Sequence, residues 1–209
     1  MSDITVTVYV DPLCPWAWLT SRWLVEVERV RPVHVTTRLL SLAEVHRADD
    51  LSERHRRSLA AGDTAMRVLV AARRAGGEGA VNRLYTELGE AHHERGEPLA
   101  SEEVLRQAVI ASGLDPALVA SALSDPTTAA ELLAEHRAVT ERGAFGVPTL
   151  VLEGHAPMFG PCLDTRIGGD DAGDLWDRVA WLIRADHFFE LKRDRPAPEV
   201  GRHPAPTAG

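Results

Sequence analysis

Residues 4–18 read ITVTVYVDPLCPWAW, and the pattern changes period half-way along. In the first half Ile4, Val6, Val8 and Val10 share one face, as a strand with side-chain period two requires. From Pro15 onward the period lengthens. Leu19, Trp23, Val27 and Val30 recur at spacings of three and four, which predicts a helix to about Val30. Pro15 suits the first helical position, where its missing N–H costs nothing. The β-branched run PVHVTTRLL (32–40) reads as a second strand. Strand, helix, strand predicts a right-handed parallel βαβ unit.

Cys14 falls at the joint between strand and helix. Unpaired N–H groups and the helix dipole favour an anion there. A thiolate so placed has a depressed pKa, so the position predicts a reactive Cys14. The other reading of Cys14 is a small buried hydrophobe.

Composition bounds the function. The chain has 209 residues, 44% hydrophobic and 26% charged, enough to bury a substantial core. A net charge of −8 argues against general nucleic-acid binding. No run approaches the roughly 18 apolar residues of a membrane span, and the N-terminus reads as a strand rather than a signal peptide. The expectation is a cytoplasmic protein with neither nucleic-acid nor membrane partner. Only two cysteines occur, Cys14 and Cys162, which is no disulfide framework.

The middle of the chain is rich in Ala, Leu, Glu and Arg. Helices are expected over 64–75, 78–94, 101–112, 115–123 and 127–142, with Ser101, Asp115-Pro116 and Asp125-Pro126 as start signals. Strand pattern resumes at PTLVLEG (148–154), with a hairpin partner near APMFG (156–160). A last helix is expected from about Asp171 to Ala185, with Leu175, Val179 and Leu182 as its apolar stripe and Trp176 and Ile183 alongside. Trp18, Trp23, Trp176 and Trp181 are expected in the core, and Trp16 in a pocket wall. The Pro- and Ala-rich tail has no periodicity and reads as disordered or draped over the surface. ELKRDR (190–195) is a solvated face or a lid. The expected division is 1–48 with 143–190 as one discontinuous lobe, 49–142 as an inserted helical lobe, and 191–209 as the tail.

GVPT (146–149) is the second chemical signal. Only X–Pro bonds become cis at tolerable cost, and a late strand opened by Val147-Pro148 is a cue for one. A simple strand-start proline is the alternative. His92-His93-Glu94 has the wrong spacing for a metal pair on one helix face, so no metal is expected.

CPW after the first strand, a long helical insertion and GVPT before the third strand together resemble the DsbA-like branch of the thioredoxin superfamily. DPLCPWAWLTSRWL, LYTELG, FGP, LWD and HFFELKR are similar to stretches of the actinobacterial mycothiol-dependent nitroreductases. The resemblance implies an α/β thioredoxin fold with a large inserted helical subdomain. It implies a cytoplasmic oxidoreductase that uses a low-molecular-weight thiol, mycothiol above all, on a small electron-poor substrate. By resemblance Cys14 matches the nucleophile, Trp16 the motif tryptophan, Pro148 the cis proline and His93 a pocket histidine. Pro15, Ala17, Val147, Phe159 and Gly160 then line the thiol site. The oligomeric state is not implied.

Ala17 departs from the family motif, because it stands where the resolving cysteine belongs. Three readings stay open. Ala17 replaces a native cysteine as a trap; or Cys14 works as a monothiol, its adduct cleared by a second small thiol; or Cys14 serves non-redox chemistry such as thiol transfer or isomerisation. A fourth possibility, an inactive binding homologue, fits poorly with an intact Cys14, Trp16 and Pro148. Cys162, after MFGP, is a possible second thiol if it can approach Cys14 closely enough to bridge.

Overall fold

The computed structural model describes residues 4–194. The elements run β1 (Ile4–Val10), α1 (Pro15–Val30), β2 (Val33–Leu39), α2 (Leu42–Val45), α3 (Glu53–Gly89), a π-helical turn (Glu90–Glu94), α4 (Glu102–Ala111), α5 (Leu118–Ser124), α6 (Pro126–Thr140), β3 (Thr149–Leu152), β4 (Met158–Phe159) and α7 (Gly169–Arg184). The expected tail lies outside the described residues beyond 194. Residues 190–194 are exposed and without regular structure.

The sheet order is β2-β1-β3-β4. β1 and β2 pair in parallel from Ile4↔Val33 to Val10↔Leu39, as the βαβ reading requires. β3 runs antiparallel on the other side of β1, with Val6 opposite Leu152 and Val8 opposite Leu150. β4 pairs antiparallel with β3 at the edge. Val6, Val8 and Val10 are buried, and the alternation fixes this register, since a slip of one residue would turn all three outward. The other edge, β2, is tied to the helices. Glu135 of α6 accepts from the Leu39 N–H at 3.1 Å and from Arg73 of α3 at 2.8 Å.

α1 and α7 pack side by side. The Trp23 indole donates to the Ala172 carbonyl at 3.0 Å, and its ring lies 6.2 Å from that of Trp176. Leu19, Trp23 and Val27 are buried as their spacing predicts, while Val30 is half-buried. α7 corrects the sequence reading. Trp176 and Ile183 are buried as expected, together with Ala172, Gly173 and Ala180, whereas Leu175, Val179 and Leu182 are only half-buried. Small residues, not leucines, meet α1, because Trp23 already fills the gap between the helices. Trp181 is the second correction: expected in the core, it is 66% exposed on the far side of α7.

The region between β2 and β3 holds no strand. Ser101 caps α4 by accepting from the Val104 N–H, and Asp125 caps α6 by accepting from Thr127, with Pro126 in the first turn. Asp115-Pro116 does not start α5; Ala117 is its N-cap, and Asp115 caps the preceding turn instead. The helix expected at 64–75 begins eleven residues earlier, at Glu53. The break expected between the helices at 64–75 and 78–94 is present: Gly76 and Gly77 leave helical geometry, Gly77 at φ +66°, a region open chiefly to glycine. Among the described residues no helix is long and apolar enough to cross a membrane.

Candidate active site

The site forms where β1 ends. Asp11 is buried, and its carboxylate accepts from the Leu13 and Leu42 N–H groups, each at 2.9 Å. Its carbonyl accepts from the Cys14 N–H at 3.0 Å. One side chain thus folds the DPLC turn and fastens it to the start of α2. Cys14 is the N-cap of α1, with Pro15 in the first turn. Its sulfur accepts from the Ala17 N–H at 3.4 Å, and its S–H donates to the Val147 carbonyl at 3.5 Å.

Val147 belongs to the predicted signature, and the Val147–Pro148 bond is cis. The Pro148 carbonyl in turn accepts from the Gly160 N–H at 2.8 Å. Gly160 sits at φ +94°, and a second cis bond, Gly160–Pro161, follows it. The Pro161 carbonyl accepts from the Thr20 hydroxyl at 2.6 Å, which draws the loop carrying Cys162 against α1. Cys14, Val147, Pro148, Gly160 and the Cys162 loop therefore converge. No disulfide joins Cys14 and Cys162, although Cys162 lies close enough to add to the charge field at Cys14. Phe159, half-buried, stacks on the exposed Phe145 at 5.0 Å. Trp16 is half-buried at the helix start.

His93 reaches the site from the π-helical turn. Its Nε2 lies 2.8 Å from the Pro12 carbonyl, and its ring stacks on Trp18 at 6.1 Å. The short contact makes Nε2 the protonated nitrogen of a neutral ring. Burial, and then the neighbouring His92, push its pKa down to about 4.

The electrostatics overturn one expectation. Cys14 was expected to be a ready thiolate. Its residue is 7% exposed, and burial pushes the thiol up to about 12. The Ala17 N–H pulls the other way, Asp11 raises it further, and the Trp16 N–H lowers it. Burial wins, because a helix N-terminus offers a partial charge while desolvation acts on a whole one. Cys14 in this form is a protonated thiol whose S–H is hydrogen-bonded to the Val147 carbonyl. Asp11, fully enclosed, is likewise pushed up to about 6 by burial, against its two N–H donors.

Three residues escaped the sequence reading, Arg22, Arg166 and Tyr85, and all three gather on Trp18. Trp18, expected in the core, is fully buried. Arg22 lies over its ring at 4.4 Å and Arg166 at 6.0 Å, and Tyr85 packs on it at 6.1 Å. A signal was present: Cys14, Trp18 and Arg22 are four apart and so share one helix face.

The sequence profile described as mycothiol-dependent nitroreductase Rv2466c matches residues 13–193. The chain belongs to the Rv2466c-like family. The uncharacterized protein Rv2286c of Mycobacterium tuberculosis is 32% identical over 196 residues, covering 94% of this chain and 84% of its own. Among solved structures, 2-hydroxychromene-2-carboxylate isomerase superposes with a TM-score of 0.61 at 20% identity, over 86% of this chain and 96% of that one. The cytosolic disulfide reductase DsbM of Pseudomonas aeruginosa, with GSH, gives 0.56 at 20% identity, over 85% and 96%. DsbA of Xylella fastidiosa gives 0.56 at 18% identity, over 88% of each chain. These likenesses establish the fold of the Rv2466c-like chain as DsbA-like: a thioredoxin-type sheet with a large helical region. Within the family frame Ala17, fully buried, occupies the third position after Cys14.

Proposed function

We propose that the chain is a low-molecular-weight-thiol-dependent oxidoreductase that works through Cys14 alone, with mycothiol as its thiol and a small electron-poor molecule as its substrate. The observation that carries this reading is the setting of the Cys14 sulfur, between the Ala17 N–H and the carbonyl before cis-Pro148, with no thiol at position 17. The electron balance closes without a second protein cysteine. Cys14 and one small thiol give up two electrons and two protons to the substrate and join as a mixed disulfide. A second small thiol attacks the small-thiol sulfur of that disulfide, which returns Cys14 as a thiol and releases the symmetric small disulfide. Pro15, Trp16 and Val147 form the wall against which the small thiol lies, with His93, Phe159 and Gly160 around it.

Burial is what raises the Cys14 thiol, so reaction proceeds from a form in which the cover over the sulfur opens and the Ala17 N–H acts unopposed. On this reading 1–48 and 143–190 carry the thiol, and 49–142 is the lobe that covers it. A reducing, cytoplasmic compartment suits a lone working thiol.

A second reading is thiol transfer or isomerisation without a redox cycle. The protonated Cys14 favours it, since an S–H can donate to the sulfur of a bound thiolate. Intact-mass spectrometry after incubation with mycothiol disulfide, and separately with glutathione disulfide, separates the two. The redox reading expects one adduct per chain, mapped to Cys14 and absent in Cys14→Ser. An unmodified Cys14, or an adduct on Cys162 alone, removes it.

A further inference from the structure

The face of α1 that begins at Cys14 continues through Trp18 to Arg22, and two polar groups along it have no partner in the protein. The Trp18 Nε1–H is enclosed with no hydrogen-bond partner, and so is the Tyr85 hydroxyl. Tyr85 lies beside Ser21 without hydrogen-bond geometry; the Ser21 hydroxyl is turned to the Trp18 carbonyl at 2.7 Å. Buried N–H and O–H groups are seldom left without partners, so two of them around one ring mark a place for an acceptor. Arg22 adds charge. It donates from Nε to Ser21 at 3.3 Å, and among the described residues no carboxylate lies within ion-pair distance of it. The carboxylates on this side are committed elsewhere, Glu94 to Arg166 and Glu90 to Arg95. The indole face attracts the Arg22 cation but offers no acceptor to its N–H groups. Burial lowers the Arg22 pKa, and Arg166 lowers it further, so two guanidinium groups flank one indole.

The cluster is continuous with the thiol. The Tyr85 hydroxyl feels both Cys14 and Arg22. Helical side chains lean toward the N-terminus, which carries Arg22 back over Trp18 toward the sulfur. The geometry points to an oxyanion subsite formed by Arg22, Trp18 Nε1–H and Tyr85 Oη–H, with Arg166 at its rim, which selects a second substrate bearing a carboxylate on a small flat framework. A planar carboxylate can accept from a guanidinium with one oxygen pair and still face the indole and phenol donors. The inference rests on the thiol reading only in calling the ligand a substrate; the binding itself does not need the thiol.

Benzoate and its neutral analogue benzamide test it, by titration calorimetry on the wild-type protein and on Cys14→Ser. Benzoate should bind at least about tenfold more tightly than benzamide in both proteins, the scale expected of a charge-assisted donor set. The Trp18 indole N–H resonance, assigned by its loss in Trp18→Phe, should move with benzoate. Arg22→Gln should bring the two ligands to parity, and Arg22→Lys should keep part of the preference. Equal binding of the two ligands to the wild-type protein overturns the inference, as does an undiminished preference in folded Arg22→Gln. If Arg22→Gln does not fold, the wild-type ratio and the Trp18 resonance decide. A mixed disulfide on Cys14 with no benzoate preference leaves the thiol reading standing and removes only the subsite.

Discussion

The Cys14 S–H donates to the carbonyl of Val147, 133 residues later in the chain, at 3.5 Å. The contact holds the sulfur as a neutral thiol, and burial raises its pKa from 9.0 to about 12. Alkylation of Cys14 by iodoacetamide, followed by mass spectrometry, should therefore still be accelerating at pH 10. The sign for stability follows: the folded protein keeps a proton that the unfolded chain loses. The contribution is fully present below about 9 and is lost as the pH rises toward 12. Cys14→Ser should flatten that alkaline decline. An alkylation midpoint below 8.5, the ordinary value for a cysteine, would show the helix N-terminus prevailing over burial.

Asp11 and His93 should oppose each other in acid. Asp11 is raised to about 6, so its contribution is present below about 4 and lost as the pH rises to 6. His93 is lowered to about 4, so its contribution is present above about 6.5 and lost as the pH falls toward 4. Each amounts to about 3 kcal/mol at most. The wild-type urea midpoint should change little between pH 4.5 and 6. His93→Gln should lose stability as the pH rises through that window, and Asp11→Asn should gain it. Parallel slopes for the two variants would contradict the assignment.

Gly89→Ala should disrupt the site through Trp18. A Cβ at Gly89 would come within 2.2 Å and 2.3 Å of two Trp18 ring carbons. The ring cannot retreat, with His93, Tyr85 and Arg22 around it. Overpacking of this kind costs about 1–3 kcal/mol, read as a lowered urea midpoint. An unchanged midpoint would mean that the ring has room that the packing denies it.

Ala17→Cys should change the chemistry more than the stability. Ala17 is fully buried, and its N–H already lies 3.4 Å from the Cys14 sulfur. The added sulfur should cost under about 1.5 kcal/mol and close to an internal disulfide on mild oxidation, seen as the loss of two titratable thiols. Three thiols persisting after oxidation would refute the geometry.

Cys162→Ser should leave the lifetime of a Cys14 mixed disulfide unchanged within about twofold, since the monothiol reading clears the adduct with an external thiol. Rapid clearance without added thiol, seen only while Cys162 is intact, would make Cys162 the resolving group.

The sheet and α1 were legible because alternation at Val6, Val8 and Val10 and the Leu19-Trp23-Val27 stripe are single-period signals with one buried face. The first three turns of α3 were not. ERHRRS gives an exposed surface with Leu59 as its first buried residue, so no stripe announces a helix there. Trp181 misled because a tryptophan's size says nothing about which face of its helix it occupies. In the site, Cys14 and cis-Pro148 were readable from local motifs. The neutral thiol was not, since the sulfur's partner Val147 lies 133 residues away and no local pattern encodes the burial. Arg22 and Tyr85 come together around Trp18 from α1 and α3, so neither carries a motif of its own.

The strand order β2-β1-β3-β4 has a consequence for the order of synthesis. A ribosome delivers β1, Cys14 and α1 within the first thirty residues, yet the carbonyl that holds the sulfur arrives with residue 147. Until then the nascent chain carries an uncovered thiol with an ordinary appetite for disulfides, and β1 has one bare edge. The newly made chain is thus open to any thiol or disulfide at the stage when it has least structure to protect it, whereas in the folded chain the sulfur is buried against Val147.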